Sequence, residues 1–85
     1  MNSTFCGIFV YDTQREAIRE ATADVKKWAE EDETNCTAEV ALWSGDMLII
    51  KATPKGEISK SKSGGWNIGG FIYMSRKVAK VYGVR

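Results

Sequence analysis

Thr13–Glu33, TQREAIREATADVKKWAEEDE, is the stretch on which the reading of this chain turns. Ile18, Ala21, Val25, Trp28 and Ala29 recur at spacings of 3, 4, 3 and 1, which places them in a single stripe on an α-helix. Thr13 stands where an N-cap belongs, and Glu16 three residues on completes the pattern of a capping box. Lys26 and Glu30, like Lys27 and Glu31, sit four apart on the helix surface, each pair worth about 0.3 kcal/mol. The stretch then closes on Glu30-Glu31-Asp32-Glu33. Carboxylates there oppose the helix dipole, so this end either frays or faces something positive.

Strands flank the helix on both sides. Phe5–Tyr11 (FCGIFVY) is apolar on both alternating faces, as a strand between layers is. Cys36–Trp43 alternates, Ser44-Gly45-Asp46 is turn chemistry, and Met47–Thr53 matches the preceding strand in length, which together predict a hairpin. Pro54-Lys55-Gly56-Glu57 predicts another turn. From about 59 to 70 the chain reads as a flexible Gly/Ser/Lys-rich loop, followed by a strand from Phe71. Ser75–Tyr82 fits either a short helix capped by Ser75 and stopped by Gly83, or a continuing strand. The valines tilt the reading slightly to strand. The expected fold is α+β, one domain over residues 1–85. It is a small single-layer sheet of three to five strands with one long helix packed on one face, in β-α-β-β-β or β-α-β-β-α order. One helix covers one face, so the other is expected to expose aromatic rings and to serve in dimerisation.

Of the 85 residues, 44% are hydrophobic and 27% charged, which places the chain among globular proteins and not disordered ones. A domain of this size buries only about 60–65% of its unfolded surface, so a partner or second copy adds needed contacts. The run Phe5–Tyr11 is too short for a signal-peptide core or a membrane span, which predicts a cytoplasmic protein with no membrane contact. Cys6 and Cys36, far apart and without a histidine nearby, read as small buried hydrophobes. The charge is divided by position: residues 1–53 hold ten acidic and five basic side chains, residues 54–85 one acidic and seven basic. Such asymmetry speaks to partners and association.

The sequence contains no histidine, the commonest general base and zinc ligand, and its two cysteines lack metal-site spacing. No catalytic residue, cofactor or metal is expected. Glu16, Glu20 and Asp24 line up four apart and read as a solvated helix face. The leading expectation is a small non-enzymatic protein that regulates or inhibits a protein partner through charge-complementary surfaces, in the style of phage and mobile-element products that interfere with host defences. Glu30, Glu31, Asp32 and Glu33 would steer the partner, and Trp43 and Trp66 would supply buried contacts. The alternative is a nucleotide- or nucleic-acid-binding protein, one that sequesters its ligand included. Lys60, Ser61, Lys62, Ser63, Gly64 and Gly65 would form its anion loop, although neither GxxxxGK[ST] nor GxGxxG is present. Arg76, Lys77, Lys80 and Arg85 would extend the basic surface. Self-association of acidic face on basic face, as a dimer or ring, is compatible with either.

Overall fold

The computed structural model describes residues 7–64, 71–81 and 83. Its elements run β1 (Gly7–Tyr11), α1 (Gln14–Asp32), β2 (Cys36–Ala41), β3 (Met47–Ala52), β4 (Ile58–Ser63), β5 (Phe71–Ser75) and α2 (Arg76–Val81). The five strands form one sheet in the order β1-β5-β2-β3-β4. The first three are mutually parallel and the last three antiparallel. This is the expected α+β class, with β5 inserted between the two strands that α1 connects.

Thr13 caps α1 as predicted: its extended backbone lets the hydroxyl accept the Glu16 N–H at 3.1 Å. Ala17, Ala21, Val25 and Ala29 form the fully buried line of the helix, and Ile18 and Trp28 pack as partly buried borders on either side. Small side chains along that line bring α1 close over β2, β3, β5 and β1, where it meets Ala38, Val40, Ile50, Ala52 and Tyr73. At its other end the helix runs to Asp32 with no basic residue in its last turn. Glu33 caps it in the left-handed region (φ 56°), its N–H reaching the Ala29 carbonyl. The acidic end is thus closed by backbone geometry, without a cation.

The β2–β3 hairpin pairs Ala41 with Met47 and Cys36 with Ala52, as the sequence predicts. Pro54-Lys55-Gly56-Glu57 makes the next turn, with Gly56 at φ 93° donating to Thr53 O at 2.9 Å. Beyond it lies the first correction. Residues 59–63 belong to strand β4, not to a loop, and pair with β3 from Ile58 opposite Ala52 to Ser63 opposite Met47. The second correction concerns the segment after β5. Ser75 accepts the Val78 N–H at 3.2 Å and starts helix α2, so the strand ends there. One β5-to-α2 boundary therefore replaces the continuous strand that the valines favoured.

The sheet's second face also departs from expectation. Val78 and Ala79 of α2 pack with Ala41, Met47, Ile72 and Met74, bordered by Ile8, Val10 and Ile49, into a separate aliphatic cluster. Alternation along β1 and β5 turns Phe9, Tyr11, Phe71 and Tyr73 toward α1 instead. The aromatic rings lie beside the long helix, not on the face opposite it. Among the described residues no helix is long and apolar enough to cross a membrane.

Candidate binding surfaces

Two rows of charge run along α1. Arg15, Arg19 and Lys26 are spaced by 4 and 7, and Glu16, Glu20 and Asp24 by 4 and 4. The one-residue offset rotates the second row by about 100°, so the rows descend opposite flanks of the helix. The charge that looked divided along the chain is also divided across its longest helix.

The acidic flank meets the aromatic strip. Ring centroids lie 5.7 Å apart for Phe9 and Phe71, 5.0 Å for Phe9 and Tyr73, 6.2 Å for Tyr11 and Tyr73, and 5.5 Å for Trp28 and Phe71. These separations are those of favourable offset and tilted ring pairs. Tyr73 is fully buried, and its hydroxyl donates to Asp24 Oδ2 at 2.7 Å. Burial first, then that bond and the Asp24 charge, hold the Tyr73 phenol well above its ordinary value. Burial, followed by the fields of Asp24, Glu20 and Glu16, raises Tyr11 as well. Phe9 and Phe71 remain 37% and 42% exposed, so two aromatic rings of the strip stand at the surface. Strand β1 pairs only with β5, which leaves its outer edge unpaired among the described residues.

The basic flank meets the opposite edge. An open recess of about 530 Å³ lies between α1 and β4, lined by Arg15, Ile18, Arg19, Thr22, Ala23, Lys26 and Lys60. Every residue of β4 is exposed. Its pairing places Ile58, Lys60 and Lys62 opposite Ala52, Ile50 and Leu48, and hence on the α1 side. Thr22 has its hydroxyl committed to Ile18 O at 2.7 Å, so the ionic side chains provide the polar chemistry of the recess. Among the described residues Arg19 makes one long, exposed pair with Glu20 at 3.9 Å, while Arg15, Lys26, Lys60 and Lys62 make no ion pair.

The residues expected from sequence to act together are spread out. Glu30, Glu31, Asp32 and Glu33 are exposed at the C-terminal end of α1. Trp43 is 54% exposed near the other end, where its backbone N–H donates to Gln14 Oε1 at 2.9 Å and Lys77 Nζ stands 4.4 Å from the centre of its ring. About 24 Å of helix separates Gln14 from Glu30. Trp66, Gly65 and Arg85 lie outside the described residues. Lys60, Ser61, Lys62 and Ser63 are on β4, and Gly64 follows them as an exposed bend. Arg76, Lys77 and Lys80 are on α2, which packs on β5 and β1 toward the far edge of the sheet. Arg76 is paired with Asp12 at 2.8 Å. Cys36 is a free, half-buried thiol, and Cys6 lies outside the described residues.

Sequence reasoning passed over Arg15 and Arg19 and took Lys26 only as a helix partner of Glu30; it weighed Phe71 only as a base-stacking ring and did not single out Phe9 as a contact. The signal for the first three was present as a basic row offset by one residue from the acidic row. For the two phenylalanines the deciding fact is the pairing of β1 with β5, which sets Phe9 beside Tyr73. No protein-family model, curated protein or solved structure matches this chain.

Proposed function

We propose that this chain is a non-enzymatic binding protein that docks a protein partner at its β1 edge. The observation that carries the reading is the pair of exposed rings, Phe9 and Phe71, which extend an aromatic strip whose Tyr73 and Tyr11 face Asp24, Glu20 and Glu16 of α1. Rigid aromatic anchors supply most of the energy of a protein interface, and a charged border selects the partner and speeds its approach. Here the border is negative, so the fitting partner presents basic side chains around an apolar patch. An unpaired strand edge next to the rings adds backbone donors and acceptors for an extended segment of that partner. A sequence without histidine supports binding over catalysis. The mode of action that suits a domain of 85 residues is occlusion of a basic surface on a larger protein. Inhibition of a host enzyme by a phage or mobile-element product would take this form.

Affinity capture with the full chain, side by side with Phe71→Ser and with Glu20→Lys, tests the reading. The expected result is a stoichiometric partner retained by the wild type, lost with Phe71→Ser, and weakened with Glu20→Lys in a salt-dependent way. A partner retained equally by all three proteins would place the contact elsewhere, and no stoichiometric partner at all would remove the proposal.

A further inference from the structure

We propose that the recess between α1 and β4 binds the backbone of a single-stranded nucleic acid. Its two walls are cationic: Arg15, Arg19 and Lys26 on the helix, and Lys60 on the strand with Lys62 two residues along on the same side. On the helix the charges are spaced by about 6 and about 10 Å of rise, and the two lysines by about 7 Å. Those separations match a linear polyanion that carries one charge per residue. Half-buried Ile18 and exposed Ala23 are the apolar part of the lining, and the Thr22 hydroxyl is already donated within the helix. Among the described residues no aromatic ring lines the recess. The site therefore grips phosphates without stacking bases, and recognition is independent of sequence.

Several features favour a phosphate chain over other anions. Two arginines offer planar, forked donors suited to phosphate oxygens. The recess is open to solvent, so a flexible single strand can settle into it. Lys26 also borders a neighbouring hollow with Pro54, Lys55 and Gly56, in which Glu30 stands among the two lysines and closes the positive track at that end. This site lies on the flank of α1 opposite the rings, so it stands or falls separately from the docking surface at β1.

Fluorescence anisotropy with a labelled oligothymidine of about 15 nucleotides, titrated with the full chain at several salt concentrations, tests the inference. Neutralising four phosphates predicts a log–log slope of affinity on salt of about −3. Arg15→Gln with Arg19→Gln, and separately Lys60→Gln with Lys62→Gln on the other wall, are each expected to weaken binding about tenfold or more and to flatten that slope. Lys77→Gln with Lys80→Gln, on α2, should leave affinity within about twofold. An oligoglutamate of equal charge should bind at least about tenfold more weakly, for want of phosphate. Any of three results overturns the inference: no binding at low salt, equal loss on neutralising α2, or oligoglutamate binding as tightly as the oligonucleotide. The last would assign the recess to an acidic protein segment. All of the substituted residues are exposed, and circular dichroism of each variant checks that the fold is kept.

Discussion

The two edges of the sheet are built on opposite terms. β4 is exposed along its whole length and, after Ile58, alternates serine with lysine, so that two charges stand on an edge where another strand could pair. β1 is short and apolar, sits against fully buried Tyr73, and together with β5 keeps two rings, Phe9 and Phe71, at the surface. Lysines on an edge strand discourage indiscriminate pairing, so β4 is a guarded edge that still attracts anions. At β1, on the proposed reading, the restraint would come from the carboxylates of α1, which would repel acidic partners and accept basic ones. One helix supplies both controls, because its two flanks carry opposite charge. A net charge of +1 conceals this arrangement entirely.

The contrast breaks most visibly at Tyr73. Removing its ring in Tyr73→Ala is expected to cost about 3–5 kcal/mol in urea unfolding, while Lys60→Ala on β4 should stay within about 0.5 kcal/mol. Equal losses at the two positions would mean that β4 contributes to the core as β1 and β5 do. A smaller effect follows from the hydroxyl alone. Tyr73→Phe deletes the bond to Asp24 and should cost about 1–2 kcal/mol near neutral pH. It should also change the response to alkali. The unfolded chain gives up this proton near its ordinary value of 10.0, and the folded chain holds it to higher pH. The stabilisation is complete below pH 10 and is lost as pH rises through the folded value, by up to about 1.4 kcal/mol per pH unit. Urea midpoints measured from pH 8 to 11 should therefore fall less steeply in Tyr73→Phe than in the wild type. The smallest change in stability, within about 0.5 kcal/mol, is expected for Lys60→Thr with Lys62→Thr. Its consequence is association: with the guard removed, sedimentation velocity should show stronger concentration-dependent association than in the wild type.

How far these edges were legible in the sequence depended on whether an element had a buried side. Helix α1 was plain because Thr13 and its apolar stripe agree, and the β2–β3 hairpin because Ser44-Gly45-Asp46 separates two matched alternations. Strand β4 was not, since an edge strand that buries neither face has no hydropathy pattern to read. In Ser75–Val81 the β-branched valines argued for strand, and the Ser75 hydroxyl with Ala79 against the sheet decided for helix. The aromatic strip depended on β5 lying beside β1, a pairing between distant residues that no local signal records. Counting charge by halves of the chain obscured the flanks of α1, where adjacent residues of opposite sign point in different directions.

The insertion of β5 into the middle of the sheet bears on how the molecule comes into being during synthesis. Every pairing of β1 among the described residues is with β5, and β2 reaches β1 only through it. As the chain leaves the ribosome, the β2–β3–β4 meander and α1 are complete while β1 still waits for a strand that arrives some sixty residues after it. Until then the aliphatic and aromatic faces of β1 have no neighbour in the sheet. Such long-range closure is slow compared with local pairing, and it leaves a window in which an unfinished sheet is open to the wrong contacts. For this fold, the last strand made is the one that joins the two halves into a single body.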